Sequence, residues 1–129
     1  MIDTNNYYPG RDGRFPELDN GSTTSSELLA VHVPGAKIVK AFNTIWYVHL
    51  GSHGSSRGDV ARRALPIAGD GEDAKLQVAA LIDAFGFDVV DIGPLKEGRH
   101  IQPNTPVYNT RLTAEETIAK LEQGPKADL

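Results

Sequence analysis

Residues 62–94, "RRALPIAGDGEDAKLQVAALIDAFGFDVVDIGP", place three different patterns end to end. "RRALPIAGD" is a short apolar run closed by turn residues, and it reads as a strand. Leu76, Ala79, Ala80 and Ile82 then recur at helical spacing, with Glu72 and Asp73 at the start and Gly86 at the end, where acids and glycine favour helix termini. "FDVVDIG" is a second strand, bounded by Gly93-Pro94. A strand, a helix and another strand in this order predict a parallel pair joined by a crossover helix, the unit of α/β folds.

The same alternation extends in both directions. Upstream, Thr24-x-x-Glu27 is a capping box that starts a short helix ending before Pro34-Gly35. "AKIVKAF" (36–42) predicts a strand, and "NTIWYVHLG" (43–51) a helix opened by the capping side chain of Asn43. The polar stretch "GSHGSSRGDVAR" (51–62) is an exposed connection. Downstream, Thr113-x-x-Glu116 caps a last helix in "TAEETIAKLEQG" (113–124). At the N-terminus "MID" has room for only the end of a strand before the turn residues Asn5, Asn6, Pro9 and Gly10, and "PGRDGRFPELDNGSTT" (9–24) reads as a long loop. The expected fold is therefore α/β: a mostly parallel sheet of about four strands, "MID", "KIVKAF", "ALPIA" and "DVVDI", with flanking helices.

Residues 1–129 suffice for one hydrophobic core, so a single domain is expected, with residues 107–129 as its C-terminal helix and tail. A chain with 40% apolar and 23% charged residues has the composition of a soluble globular protein, and no apolar run approaches the roughly 20 residues of a membrane span. No secretory signal pattern opens the sequence, and the absence of cysteine excludes disulfides and thiolate metal sites, so the default location is cytoplasmic. With a net charge of −4 and no basic cluster beyond Arg62-Arg63, nucleic acid is not an expected partner.

In open α/β sheets ligands collect beyond the carboxyl ends of strands. Those ends carry Asp3-Thr4-Asn5-Asn6, Phe42-Asn43-Thr44, Ala68-Gly69-Asp70 and Ile92-Gly93-Pro94. Amides and hydroxyls dominate, which suits holding a polar heterocycle, although Asn5 and Asn43 serve equally as ordinary caps or turn residues. The residues themselves indicate no catalytic acid, base or nucleophile. His49 and His53, with Gly51 between them, are not expected to present a helical ligand pair, and no metal site is predicted. Ser55-Ser56 lacks a G-x-S-x-G context, Arg57-Gly58-Asp59 reads as a polar loop, and Asp70, Glu72 and Asp73 are explained by the helix dipole.

Taken in order, "IDTNNYYPGRDG" (2–13), "TTSSELLAVHVPGAKIVKAFNTI" (23–45), "RRALPIAGD" (62–70) and "AKLQVAALIDAFGFDVVDIGPL" (74–95) resemble the deazaflavin (coenzyme F-420)-dependent NADP oxidoreductases and their relatives, over residues 1 to about 106. The resemblance implies the second part of a Rossmann-like fold. It implies that the G-x-G-x-x-G part, absent from this sequence, belongs upstream, with about sixty residues or two βαβ units' worth of chain before "MID". It also implies a cofactor-binding set of Thr4, Asn5, Phe42, Asn43 and Thr44 near the nicotinamide of NADP, with a deazaflavin or flavin-like molecule as hydride partner. Tyr7, Tyr8 and Trp46 are ring-stacking walls by position, or ordinary packing. The alternative is a truncated, non-catalytic relative serving as an interaction or scaffold domain. On either reading the unpaired edge of the first strand calls for a homo-oligomer or an upstream domain that completes the sheet.

Overall fold

The computed structural model describes residues 1–123; the end of the expected C-terminal segment, residues 124–129, lies outside them. In chain order the elements are β1 (Ile2–Asp3), α1 (Pro9–Asp12), α2 (Pro16–Asp19), α3 (Ser25–His32), β2 (Val39–Lys40), α4 (Tyr47–Ser52), β3 (Ala64–Gly69), α5 (Glu72–Ala84), β4 (Asp88–Asp91), a 3-10 helical segment (Leu95–Ile101) and α6 (Ala114–Glu122). The strands form one open sheet in the order β1-β2-β3-β4. Two pairings are parallel, β1 with β2 and β3 with β4.

The middle pairing is the exception in the expected mostly parallel sheet. β2 and β3 run antiparallel, Val39 opposite Gly69 and Lys40 opposite Ala68. Residues 41–63 join the two strands, and with α4 of six residues, about 9 Å of helix, as the helix of this connection, the chain re-enters at the end it left. By contrast α5, with 13 residues, spans the sheet and makes β3–β4 parallel. The carboxyl ends of β1 and β2 therefore lie at one end of the sheet with the start of β3. The ends of β3 and β4 lie at the other, which divides the four groups of strand-end residues into two pairs.

β3 is buried along its whole length because both of its faces are covered, as its unbroken apolar sequence requires. Leu65 and Ile67 join Val39, Ala41, Ile45, Val78, Ile82 and Phe87 in the main core, and Ile101, Val107 and Leu112 form a second cluster. α5 turns Val78 and Ile82 inward together with the stem of Lys75, whose ammonium reaches Glu72 and Asp91 at 3.1 Å each. This corrects the expected face: Leu76 is 68% exposed and Ala80 lies outside. The long aliphatic stem of a lysine fills the inner position while its head is paired with the two carboxylates. Both capping boxes form, Thr24 with Glu27 and Thr113 with Glu116. α4, however, begins at Tyr47 behind Trp46, not at Asn43, because Asn43 and Thr44 are used in a turn. Two glycines make a backbone-to-backbone contact where α5 ends. A side-chain carbon on Gly86, at φ +100°, would meet the Gly54 Cα at 2.8 Å.

Candidate functional site

At the end of β2 the chain leaves the sheet through Phe42, whose φ of 62° lies in the left-handed region that side chains rarely occupy. Such strain is retained where the surroundings fix it and concentrates at functional sites. It turns Asn43 and Thr44 back over the ends of β1 and β2. The Thr44 carbonyl then accepts from the Asn109 N–H at 2.7 Å, and Asn109 is itself left-handed at φ 52°. This bond brings Tyr108 and Asn109 beside Asn43 and Thr44, far earlier in the chain. No spacing or composition signal in the sequence connects them.

Asn43 is 4% exposed, and its amide orientation is fixed by main-chain carbonyls. Its Nδ2 donates to the Ile101 carbonyl at 2.8 Å and to Asn6 Oδ1 at 3.2 Å; Asn6 Nδ2 donates in turn to the Asn43 carbonyl at 3.0 Å. A carbonyl oxygen only accepts, so neither amide can be turned over. Asn43 Oδ1 is thereby left buried with no partner among the described residues. Buried acceptors are nearly always satisfied, and leaving one bare costs about 1–3 kcal/mol. Asn43 is also one of the residues that line a pocket of about 210 Å³, with Thr4, Asn6, Phe42, Thr44 and Tyr108, and with the exposed rings of Trp46 and Tyr47. The volume falls below the roughly 300–1,000 Å³ of a drug-sized ligand site, so the pocket suits one ring with its substituent.

Asn6 also lines a second, larger cleft of about 1280 Å³, whose walls include Tyr7, Tyr8, Pro9, Ser25, Lys40 and Arg99. Beneath it lies a buried polar chain. Asp3 Oδ2 accepts from Ser26 Oγ at 2.7 Å, and Ser26 Oγ accepts from Lys40 Nζ at 3.2 Å, with the Asn5 carbonyl at 3.4 Å as a second acceptor. Burial pulls the Lys40 ammonium below its ordinary range, and the Asp3 carboxylate opposes this. The Gly98 backbone is what admits the Lys40 stem, since a Cβ there would stand 3.0 Å from Lys40 Cδ.

Of the five residues singled out from the sequence, Thr4, Phe42, Asn43 and Thr44 share the small pocket, while Asn5 turns outward and offers its carbonyl to Lys40. Asn6 and Tyr108 take part in the site and were not in that set. The other strand-end groups are not at this site: Asp70 Oδ1 accepts from the Leu95 N–H at 3.0 Å at the opposite end of the sheet. The histidine reading is corrected as well. α4 continues through Gly51, so the His49 and His53 rings stack at 3.9 Å and 12°, with Trp46 edge-on to His49. Stacked rings do not converge on one ion, and no group of three metal-ligating side chains occurs among the described residues. His53 Nδ1 instead meets the guanidinium of the buried Arg63 at 3.1 Å. Arg57 is tied to Asp83, and Arg62 to Asp83 and Asp88, which accounts for the basic pair and the polar loop. Among the described residues no helix is long and apolar enough to cross a membrane.

No family model matches the chain, and no curated protein does. Solved structures do. A hypothetical protein from Sinorhizobium meliloti is similar over 87% of this chain and 53% of its own, at 36% identity and a TM-score of 0.70. A candidate F420-dependent NADP reductase from Arthrobacter sp. FB24 is similar over 76% of this chain and 44% of its own, at 28% identity and a TM-score of 0.61. The chain thus spans about half the length of these two proteins. The four-stranded open α/β sheet with flanking helices is an architecture it shares with Rossmann-like structures.

Proposed function

We propose that the chain forms the nicotinamide-facing part of an NADP-dependent oxidoreductase whose hydride partner is a deazaflavin or flavin-like molecule. The unpartnered, buried Asn43 Oδ1 carries this reading. It is a fixed acceptor on a residue that lines a one-ring pocket, and a carboxamide N–H is the complementary donor. A bound nicotinamide supplies the redox chemistry itself. The protein's task is then to orient and to exclude water. Asn43 accepts from the amide, Thr4 and Thr44 offer hydroxyls on the same wall, Phe42 supports one side, and Trp46 and Tyr47 shield the rim. The similarity to the Arthrobacter protein, described as an F420-dependent NADP reductase, agrees with this choice of cofactors. No G-x-G-x-x-G turn occurs in the sequence, so the reading assigns this chain the nicotinamide side and not the pyrophosphate.

The test is calorimetric titration of the protein and of Asn43→Ala with nicotinamide mononucleotide and with NADPH. Loss of the amide acceptor is expected to weaken both ligands about tenfold, with a fall in thermal midpoint of only a few degrees. Equal affinity in both proteins, or a collapse of stability with binding intact, refutes the assignment. Oxidation of NADPH in the presence of deazaflavin or flavin acceptors, followed at the nicotinamide absorbance, tests the reaction class.

A further inference from the structure

Tyr8 and Tyr108 place their hydroxyls in direct hydrogen-bond contact, at the wall that separates the small pocket from the large cleft. Two phenols hold two protons, and one hydrogen bond between them uses one. Which proton is left over follows from the amides beside them. Asn6 Nδ2, its identity fixed by the Asn43 carbonyl, also points its N–H at Tyr108 Oη, at 3.5 Å. A hydroxyl that accepts on one side is polarised to donate on the other, because hydrogen bonds in a chain reinforce one another. The direction therefore runs from Asn6 to Tyr108 to Tyr8. The proton of Tyr8 ends the chain on the cleft side, with no acceptor among the described residues. Arg11 lies over the Tyr8 ring at 4.8 Å and holds the ring in place.

We infer that the Tyr8 hydroxyl is the hydrogen-bond donor which the large cleft presents to its ligand, and that this ligand is a planar ring compound bearing a carbonyl oxygen or an aza nitrogen. The cleft supports the ring shape. Pro9, Pro103 and Pro106 give it flat, apolar wall segments among polar ones that include Asp19, Lys40 and Arg99, and its volume of about 1280 Å³ exceeds that of a site for a single small ring. The inference deepens the oxidoreductase reading by naming the protein group that meets the electron acceptor, and it rests on that reading for the role of the ring. The opposite polarity of the two sites follows from one chain of bonds: the small pocket offers an acceptor, Asn43 Oδ1, and the cleft offers a donor, Tyr8 Oη. Two ring ligands bound on either side of Asn6 are thereby told apart.

Fluorescence titration with riboflavin and with 5-deazariboflavin tests this in the parent, Tyr8→Phe, Tyr108→Phe and Asn43→Ala. Binding is expected to weaken about tenfold in Tyr8→Phe and about threefold in Tyr108→Phe, which keeps the donor but removes its polarising partner. Nicotinamide mononucleotide binding is expected to weaken more in Asn43→Ala than in Tyr8→Phe. A phenol difference band on ligand addition, present in the parent and lost in Tyr8→Phe, gives a second readout, and Tyr108→Phe decides if the first variant does not fold. Equal affinities in the parent and Tyr8→Phe overturn the inference, as does failure of the parent to bind either ring. If riboflavin behaves as stated while nicotinamide mononucleotide does not bind, the oxidoreductase reading falls and the Tyr8 donor stands.

Discussion

Replacing Lys40 with methionine removes the ammonium from the floor of the cleft while keeping most of the aliphatic stem against Gly98. Lys40 and Ser26 are fully enclosed, and Asp3 is 4% exposed. The variant leaves the Asp3 carboxylate with two donors, the Ser26 hydroxyl at 2.7 Å and the Asn5 N–H at 3.0 Å, and without its cation. Deleting one member of a directly paired buried couple costs about 3–5 kcal/mol. Here a serine hydroxyl stands between the charges, and a buried group that loses one partner costs about 1–3 kcal/mol, so the expected loss is about 2 kcal/mol. For a chain of this size that is roughly 6–10 °C in thermal midpoint. The assay is urea and thermal unfolding of Lys40→Met, Asp3→Asn and the double variant. The two charges share one bridge, so the double variant is expected to be more stable than the sum of the single losses by about 1 kcal/mol. Stability of Lys40→Met within about 0.5 kcal/mol of the parent, or strict additivity in the cycle, refutes the argument that the ammonium compensates Asp3.

Gly86→Ala combines a left-handed backbone with a 2.8 Å approach to Gly54, and is expected to lose about 2 kcal/mol or more in urea unfolding; a neutral result means that the contact is looser than described. Arg57 and Arg62 hold the Asp83 carboxyl down from 3.8 to about 2. A depressed carboxyl contributes stability above its unfolded value that is lost as pH falls toward the folded one, so the thermal midpoint should drop between about pH 4 and pH 2. Asp83→Asn should start lower at neutral pH and lose less across that window; parallel curves refute the pairing. The two-residue edge strand β1 leaves the groups of Ile2 that face away from β2 unpaired, and we expect self-association through it. Light scattering after size exclusion should show a dimer or larger species that Ile2→Lys reduces, and a monomeric parent removes the expectation.

Much of the fold is written locally. The two capping boxes, the apolar run of β3 and the Gly86 stop of α5 each depend on neighbours within a few residues, and each is found where the sequence places it. The antiparallel joint is not local. It depends on where the chain after β2 packs, and there the sequence overstates α4, because Asn43 is a good capping residue that tertiary bonds recruit to a turn. The face of α5 was misread because periodicity counts Leu76 as apolar and Lys75 as polar, while burial follows the lysine stem. At the site, Thr4, Phe42, Asn43 and Thr44 were legible as strand ends. Tyr108 was not, since only the bond from Asn109 to Thr44 brings it there.

The reversal of direction between β2 and β3 has a consequence for how the molecule can change. In a wholly parallel sheet every strand delivers its loop to the same rim, and an insertion in one loop crowds the others. Here the outgoing loops of β1 and β2 leave at one rim, and those of β3 and β4 at the other, where Lys37, Ile38, Asp70 and Leu95 border a separate hollow of about 210 Å³. The two rims are joined through the buried length of β3 and through the segment Leu95–Ile101, which starts beside Asp70 and ends at the carbonyl that holds Asn43. Side chains that face this hollow are free to vary without touching Asn43 or Tyr8, while the loop after β4 is held to its length by the Ile101–Asn43 bond, so one scaffold is able to keep its ring-binding end while altering the surface it shows at the other.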